Sequence, residues 1–343
     1  MNQDFILALG EIEKQKNIKK EVIIEAIEQA LYAAYKKNYG QAQNVSVSVD
    51  RETGDIKVLQ QREVVEEVSD AFLQIGLTEA QQMDKRYDVG DTINFEVTPK
   101  NFGRIAAQTA KQVVVQRIKE VERENLYAAY SDKENQMLSG IIVRNDKRNI
   151  IVRLSDGEEA LLPQNEQLMC ESYFPGYRMR FYVTEVKMVA GNPEIILSRT
   201  HPSLVKRLFE QEVPEIADGS VVIKAIAREA GSRSKVAVQS DVAGLDPVGA
   251  CVGAKGARVQ LICDSLGGEK IDIIRYSDNP AEYVAAALSP SEIVSVVADE
   301  EAKSAAVVVP AHQLSLAIGK EGQNARLAAR LTSWKIDIKP DNV

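Results

Sequence analysis

The sequence predicts a multidomain α+β protein: an N-terminal α/β domain that runs out into a long helix, a small β-barrel, and one α/β unit used twice in tandem. Three observations carry this. Residues 104–130 keep a helical pattern with no Gly or Pro to break it. Five short β signals crowd into residues 140–199. Two G-x-x-G loops, Gly253-Ala254-Lys255-Gly256 and Gly319-Lys320-Glu321-Gly322, have their first glycines 66 residues apart. Each leads through a helical stretch to a Lys-Ile-Asp-Ile strand, at 270–273 and 335–338.

The first domain opens with helices over 3–14 and 20–39. In the second, Val22, Ile23, Ala26, Ile27, Ala30, Leu31, Ala34 and Tyr35 recur on one face, and Gly40 supplies a stop. Strict alternation from Val45 to Val49, a Thr53-Gly54 turn and a strand from Ile56 to Val65 make a hairpin. A helical signal at Thr78 to Gln82 and a strand at Ile93 to Val97 follow. The long helix after Arg104 then reads as a connector projecting this domain, residues 1–132, away from the rest.

The composition changes over 131–139. The β signals are Gly140–Arg144, Asn149–Leu154, Glu159–Pro163, Arg178–Val189 and Glu194–Ser198, with turns at Asn145-Asp146, Asp156-Gly157 and Gly191-Asn192. Five strands in one short segment (135–200) fit an OB barrel of the S1 type. In the next unit, 201–279, Pro202 and Pro214 bracket a helix. Strands at Val221–Ile226 and Lys235–Val238 precede the first glycine loop, and Ile271–Ile274 closes the sheet. The last unit, 280–343, repeats the order: a helix near Ala281–Leu288, strands at Ile293–Val297 and Ala305–Val309, the loop, and Ile336–Ile338. The order α-β-β-α-α-β is the bacterial, type II, KH arrangement.

Composition narrows the function class. No apolar run is long enough for a membrane span, and the N-terminus lacks a basic region followed by an apolar core. Three cysteines, Cys170, Cys251 and Cys263, are too few and too far apart for a disulfide framework or a zinc site, which points to a reduced cytosol. The net charge of −8 disfavours condensation on bulk nucleic acid but not a local basic patch. His201 and His312 have no triad-like partners, and no Walker loop is present, so neither catalysis, a metal nor a cofactor is expected. Asp272 and Asp337 recur at one strand position, which suggests a repeated structural role.

In a KH loop two glycines let the backbone approach phosphates with no Cβ in the way, beside a helix N-terminus that favours an anion. The candidate RNA-binding residues are therefore Gly253, Ala254, Lys255, Gly256 and Arg258 in the first unit, and Gly319, Lys320, Glu321, Gly322 and Arg326 in the second. Ala254-Lys255 is electrostatically favourable; Lys320-Glu321 is mixed and should bind more weakly or by shape. Additional basic candidates are Arg144, Lys147 and Arg148 in the barrel, and Arg199, Arg233 and Lys235. The second barrel strand carries no aromatic, and at least half of Tyr173, Phe174, Tyr177, Phe181 and Tyr182 read as core, so an electrostatic role suits the barrel better than stacking. Trp334 reads as a core anchor.

Longer words carry a resemblance. Arg199-Thr200-His201-Pro202, Glu212-Val213-Pro214-Glu215-Ile216, Asp246 to Gly253, Gly268 to Ile273, Gln313 to Lys320, Gly322 to Ala329 and Phe102 to Gln112 resemble the NusA family of bacterial transcription elongation factors over essentially the whole chain. That resemblance implies docking of the N-terminal domain on RNA polymerase near the RNA exit channel. It implies that nascent single-stranded RNA is held by the S1-KH-KH array, with effects on pausing, termination and antitermination, in the cytoplasm. Other elongation and antitermination factors are further implied partners, and monomer is the default state. Some members carry acidic repeats after the second KH unit. This sequence stops at Val343, and the expectation drawn from that is an RNA face left open in the free protein. An accessory part of an RNA-degrading enzyme and a ribosome-associated KH protein are the competing classes; nuclease activity or ribosome co-sedimentation would mark them.

Overall fold

The computed structural model describes residues 3–16, 18–39, 44–146 and 148–341. Gly40, the expected helix stop, and Lys147 of the barrel's basic turn lie outside the described residues. The chain divides into two compact units, Met1–Leu126 and Tyr127–Val343.

The first unit starts with α1 (Gln3–Lys16) and α2 (Lys20–Tyr39). Ile23, Ile27 and Leu31 of the expected α2 face are fully buried and Tyr35 is nearly so, but Val22 is exposed and Ile24, which the spacing does not select, is buried in its place. The buried residues pack with Val47, Val49 and Val58 of the hairpin β1 (Val45–Val49) and β2 (Ile56–Val65). The sheet continues into β3 (Gln74–Gly76) and β4 (Thr92–Glu96), both paired with β2. Between them α3 (Leu77–Met83) covers a second small core of Val64, Ile75, Ala80 and Ile93. The sequence reading missed β3, which pairs in parallel with Glu63–Val65 across a loop and has only three residues to show an alternation. The long helix α4 (Phe102–Ser131) begins two residues earlier than expected. Phe102, Ala106 and Ala110 at its start are buried in the first unit's core.

In the second unit β5 (Met137–Asp146), β6 (Asn149–Leu154), β7 (Glu159–Pro163), β8 (Arg178–Val189) and β9 (Asn192–Ser198) form a closed barrel in the order β5-β6-β7-β9-β8, the OB order. Asn145 and Asp146, expected as a turn, remain in β5 because Asp146 still pairs with Asn149. Ile142, Ile150, Val152, Leu162, Phe181, Val183 and Leu197 alternate inward and are buried.

The first KH unit comprises α5 (Pro202–Glu212), the short α6 (Pro214–Ala217), β10 (Val222–Glu229), β11 (Arg233–Gln239), α7 (Pro247–Val252), α8 (Ala257–Ser265) and β12 (Lys270–Arg275). The second comprises α9 (Pro280–Ala287), β13 (Ser295–Asp299), β14 (Ser304–Val309), α10 (Leu314–Ile318), α11 (Gln323–Thr332) and β15 (Lys335–Pro340). In both sheets the middle strand pairs antiparallel with the strand before it and parallel with the last, because the helical pair carries the chain back across the sheet. Prolines at helix position N1, where an N–H would have no partner, start α5, α7 and α9.

The two KH units share a core. Ala227, Ala237 and Ile274 of the first sheet lie in one cluster with Tyr283, Val284, Leu327, Ala328 and Leu331 of the second unit. Trp334 packs against that cluster, as its reading as an anchor predicts.

Candidate nucleic-acid interface

Both glycine loops have the same backbone. Gly253 (φ 74°, ψ 177°) matches Gly319 (77°, 169°), Lys255 (52°, 27°) matches Glu321 (53°, 27°), and Gly256 (81°, 9°) matches Gly322 (74°, 14°). The first glycine ends a short helix and occupies a region essentially closed to other residues. Its N–H closes the preceding helix, on the Gly249 carbonyl at 2.9 Å in one loop and the Ser315 carbonyl at 2.9 Å in the other. The second glycine is left-handed at the N-cap of the next helix, α8 or α11, and no side chain caps either. First-turn N–H groups there receive no side-chain acceptor, and a Cβ on Gly256 or Gly322 would meet nothing within 4 Å. The result is two open, anion-favouring backbone surfaces.

The space under each first glycine is filled. A Cβ on Gly253 would come within 2.7 Å of Arg258 Cγ, and one on Gly319 within 2.8 Å of the Asn324 backbone nitrogen. Arg258 Nη1 donates to Glu215 Oε2 (2.9 Å) and to the Ala250 carbonyl (2.7 Å). Asn324 Nδ2 donates to the carbonyls of Ala317 and Leu288, each at 3.0 Å. The structural counterpart of Arg258 is thus Asn324, five residues after the first glycine, and not Arg326. Arg326 instead reaches the first KH unit, where its Nε donates to Glu229 Oε1 at 2.6 Å. Gln323 joins it, donating to Glu229 (2.8 Å) and Ser232 (2.7 Å). The sequence carries no local signal for this seam, whose partners lie more than 90 residues apart.

Lys255 and Lys320 are exposed, as are Ala254 and Glu321. Among the described residues neither lysine is in an ion pair. Arg144 and Arg148 are exposed at one end of the barrel. The other basic candidates are engaged internally. Arg199 is fully buried against Glu171 and donates to the carbonyls of Arg180 (2.6 Å) and Ser265 (2.8 Å). Arg233 grips Asp272 through two bonds of 2.6 and 2.8 Å. Lys235 is buried, pairs with Asp272 at 3.2 Å and donates to the Ser289 carbonyl at 2.8 Å. Burial pushes its ammonium below the usual lysine range. Asp272 therefore has a structural role, while Asp337 is exposed and, among the described residues, pairs with exposed Lys339.

His201 caps α5, accepting at Nδ1 from the Ser203 N–H, and stacks on Tyr182 at 4.5 Å with planes 3° apart. Of the five barrel aromatics, Phe181 and Tyr182 are buried, whereas Phe174 and Tyr177 are exposed. Among the described residues no cluster of His, Cys, Asp and Glu could hold a metal ion, and no helix is long and apolar enough to cross a membrane.

Comparison with known proteins bears on this arrangement. Residues 4–124 match the NusA N-terminal domain, 199–276 the NusA-like first KH domain and 280–342 the NusA-like second KH domain. A transcription termination/antitermination protein NusA of Halalkalibacterium halodurans is 57% identical over 342 residues, covering 100% of this chain and 89% of the relative. The Bacillus subtilis protein of that name is 55% identical over 99% of this chain and 92% of its own length. The Thermus thermophilus protein is 44% identical over 99% and 90%.

Proposed function

Because the chain belongs to the NusA family of transcription termination/antitermination proteins, we propose that it docks on bacterial RNA polymerase and holds nascent single-stranded RNA. RNA would lie along the S1-type barrel and both KH units, so that the protein modulates pausing, termination and antitermination. The observation that carries this reading is the pair of glycine loops with matching torsions, fixed in one continuous core. Two loops held at constant separation act on one strand, and the second binds at a high effective concentration once the first is filled.

In this reading Gly253, Gly256, Gly319 and Gly322 receive the phosphates, with Ala254, Lys255, Lys320 and Glu321 setting the charge they meet. Arg258 supports the first loop from below, and Arg326 fixes the second unit against the first. Arg199, Arg233 and Lys235 position the units that carry the loops. Arg144 and Arg148 add attraction at the barrel. The N-terminal unit would meet polymerase through a surface that combines exposed Glu63, Glu66 and Glu67 with exposed Val68 and Phe72, a mixture suited to protein rather than RNA. Other elongation and antitermination factors are further partners. The protein acts in the cytoplasm as a monomer, by binding and without catalysis.

The test is fluorescence anisotropy of a short labelled RNA at two salt concentrations. It compares the wild type with a variant carrying Ala254→Asp, Lys255→Asp and Lys320→Asp. Binding should fall sharply in the variant while its circular dichroism stays unchanged. Equal binding by both proteins would remove the loops from the RNA site.

A further inference from the structure

A cleft of about 710 Å³ separates the barrel from the first KH unit. One wall is Tyr177, at the end of the loop before β8, with Arg178 and Arg180 of β8; the other is Asp264 and Ser265 at the end of α8, with Gly267 just beyond it. The buried Arg199–Glu171 pair forms its floor and ties the walls together through the carbonyls of Arg180 and Ser265. The floor is thus already neutralised and hydrogen-bonded, and the ligand must be chosen by the rim.

The rim combines two features. Tyr177 is 54% exposed and meets Phe174, 58% exposed, edge to face at 5.6 Å. A pair of aromatic rings left in water forgoes the burial that such side chains normally gain. Beside them Arg178 is exposed and, among the described residues, in no ion pair. Arg180 is not free in this way, since Glu212 holds it at 3.0 Å. A flat π surface next to an uncommitted guanidinium fits a nucleobase followed by its phosphate.

Position selects the occupant. Helix α8 begins at the first glycine loop and ends at this cleft. Its nine residues span roughly 14 Å at 1.5 Å each, a distance that two or three nucleotides cover. We propose that the cleft takes one nucleotide of the strand held by the loops, with its base on Tyr177 and its phosphate on Arg178. The inference rests on the reading of the loops as an RNA site and names where, and by which side chains, that strand would meet the barrel. The sequence pattern favours an electrostatic role for the barrel over stacking.

The test compares two labelled RNAs by anisotropy. One is about eight nucleotides long, about four per KH loop, and the other about fourteen. The wild type should bind the longer RNA about tenfold more tightly, in line with the stacking of one base and one added phosphate contact. Tyr177→Ala combined with Arg178→Ala should erase that gain and leave the shorter RNA unaffected, while Tyr177→Trp retains it. A gain that survives the double variant, or a loss equal for both RNAs, overturns the proposal. A wild type that binds the short RNA but gains nothing from length sinks the cleft alone; one that binds neither sinks the loop reading with it. A second readout uses unaltered protein. Cys170 lines the cleft and is exposed, whereas Cys251 is buried, its thiol pushed up to about 12, and burial also raises Cys263. Alkylation of Cys170 by a maleimide should be slowed by the longer RNA and not by the shorter. Equal rates with both would overturn the assignment.

Discussion

Replacing Gly319 by Ala separates the two glycines of a loop by their physical roles. Its torsions, φ 77° and ψ 169°, lie where essentially only glycine goes, at a cost of roughly 1–3 kcal/mol for any other residue. The new Cβ would stand 2.8 Å from both the backbone nitrogen and the Cβ of Asn324. That turn of α11 cannot retreat freely, because Gln323 and Arg326 pin it to Glu229 and Asn324 is bonded to two carbonyls. A total near 3 kcal/mol follows as an order of magnitude. Gly322→Ala has open space around its Cβ and meets only the left-handed penalty of about 1–2 kcal/mol. Trp334 is the sole tryptophan and packs on this unit's core, so its fluorescence reports the transition in urea. With a slope of about 2 kcal/mol per M, the midpoint should fall by about 1.5 M for Gly319→Ala and by about half that for Gly322→Ala. Equal shifts, or a larger one for Gly322→Ala, would refute the claim that the first glycine is held from below and the second is open.

Two further predictions concern the core between the KH units. Asp272→Asn should destabilise the protein by about 3 kcal/mol in urea titration, since it strands buried Lys235 beside Arg233. Lys235→Met, similar in length and uncharged, should stay within about 1 kcal/mol of wild type in the same assay. At the seam, Arg326 holds the Glu229 carboxyl below the usual carboxylate range. A folded-state pKa below the unfolded one gives stability that is present above the unfolded value, near 4.3, and lost as pH falls through the folded one. Arg326→Ala should therefore flatten the acid limb of the urea midpoint below about pH 4.5, by a small margin because the pair is partly exposed. An unchanged limb would show that Glu229 takes its acid sensitivity from elsewhere.

Local pattern made much of this fold legible. Asn149–Leu154, Glu159–Pro163 and Arg178–Val189 stand where alternation and turn residues put them, because both signals act within a few residues. The glycine loops were legible for a similar reason: positive φ at a fixed offset leaves few alternatives to Gly. What the sequence conceals is which charge neutralises which. Arg199 meets Glu171 from 28 residues away, Arg258 meets Glu215 from 43, and Arg326 meets Glu229 from 97. In the sequence each reads as a free cation, and only tertiary pairing turns it into a brace. The exposed aromatics of the barrel illustrate the converse, since Phe174 and Tyr177 look no different from buried Phe181 and Tyr182 until the loop before β8 is placed.

The two loops share a backbone and differ in charge, which allows shape and electrostatics to be weighed against each other. Lys255 and Glu321 occupy the same left-handed position, so on the proposed reading a phosphate would meet a cation there in the first loop and a carboxylate, beside Lys320, in the second. Glu321→Lys changes the local charge by two. At 4 Å in water one unit pair is worth about 1 kcal/mol, and salt near 0.1 M reduces this further. A gain of about five- to tenfold in RNA affinity is therefore expected at low salt. The slope of log affinity against log salt should steepen by about 0.7 for each additional phosphate neutralised. Lys255→Glu should move both quantities in the opposite direction. If Glu321→Lys changed neither affinity nor slope while Lys255→Glu changed both, RNA would pass over the first loop only. The second loop's matching torsions would then serve to close the core against the first unit, as Gln323 and Arg326 already do.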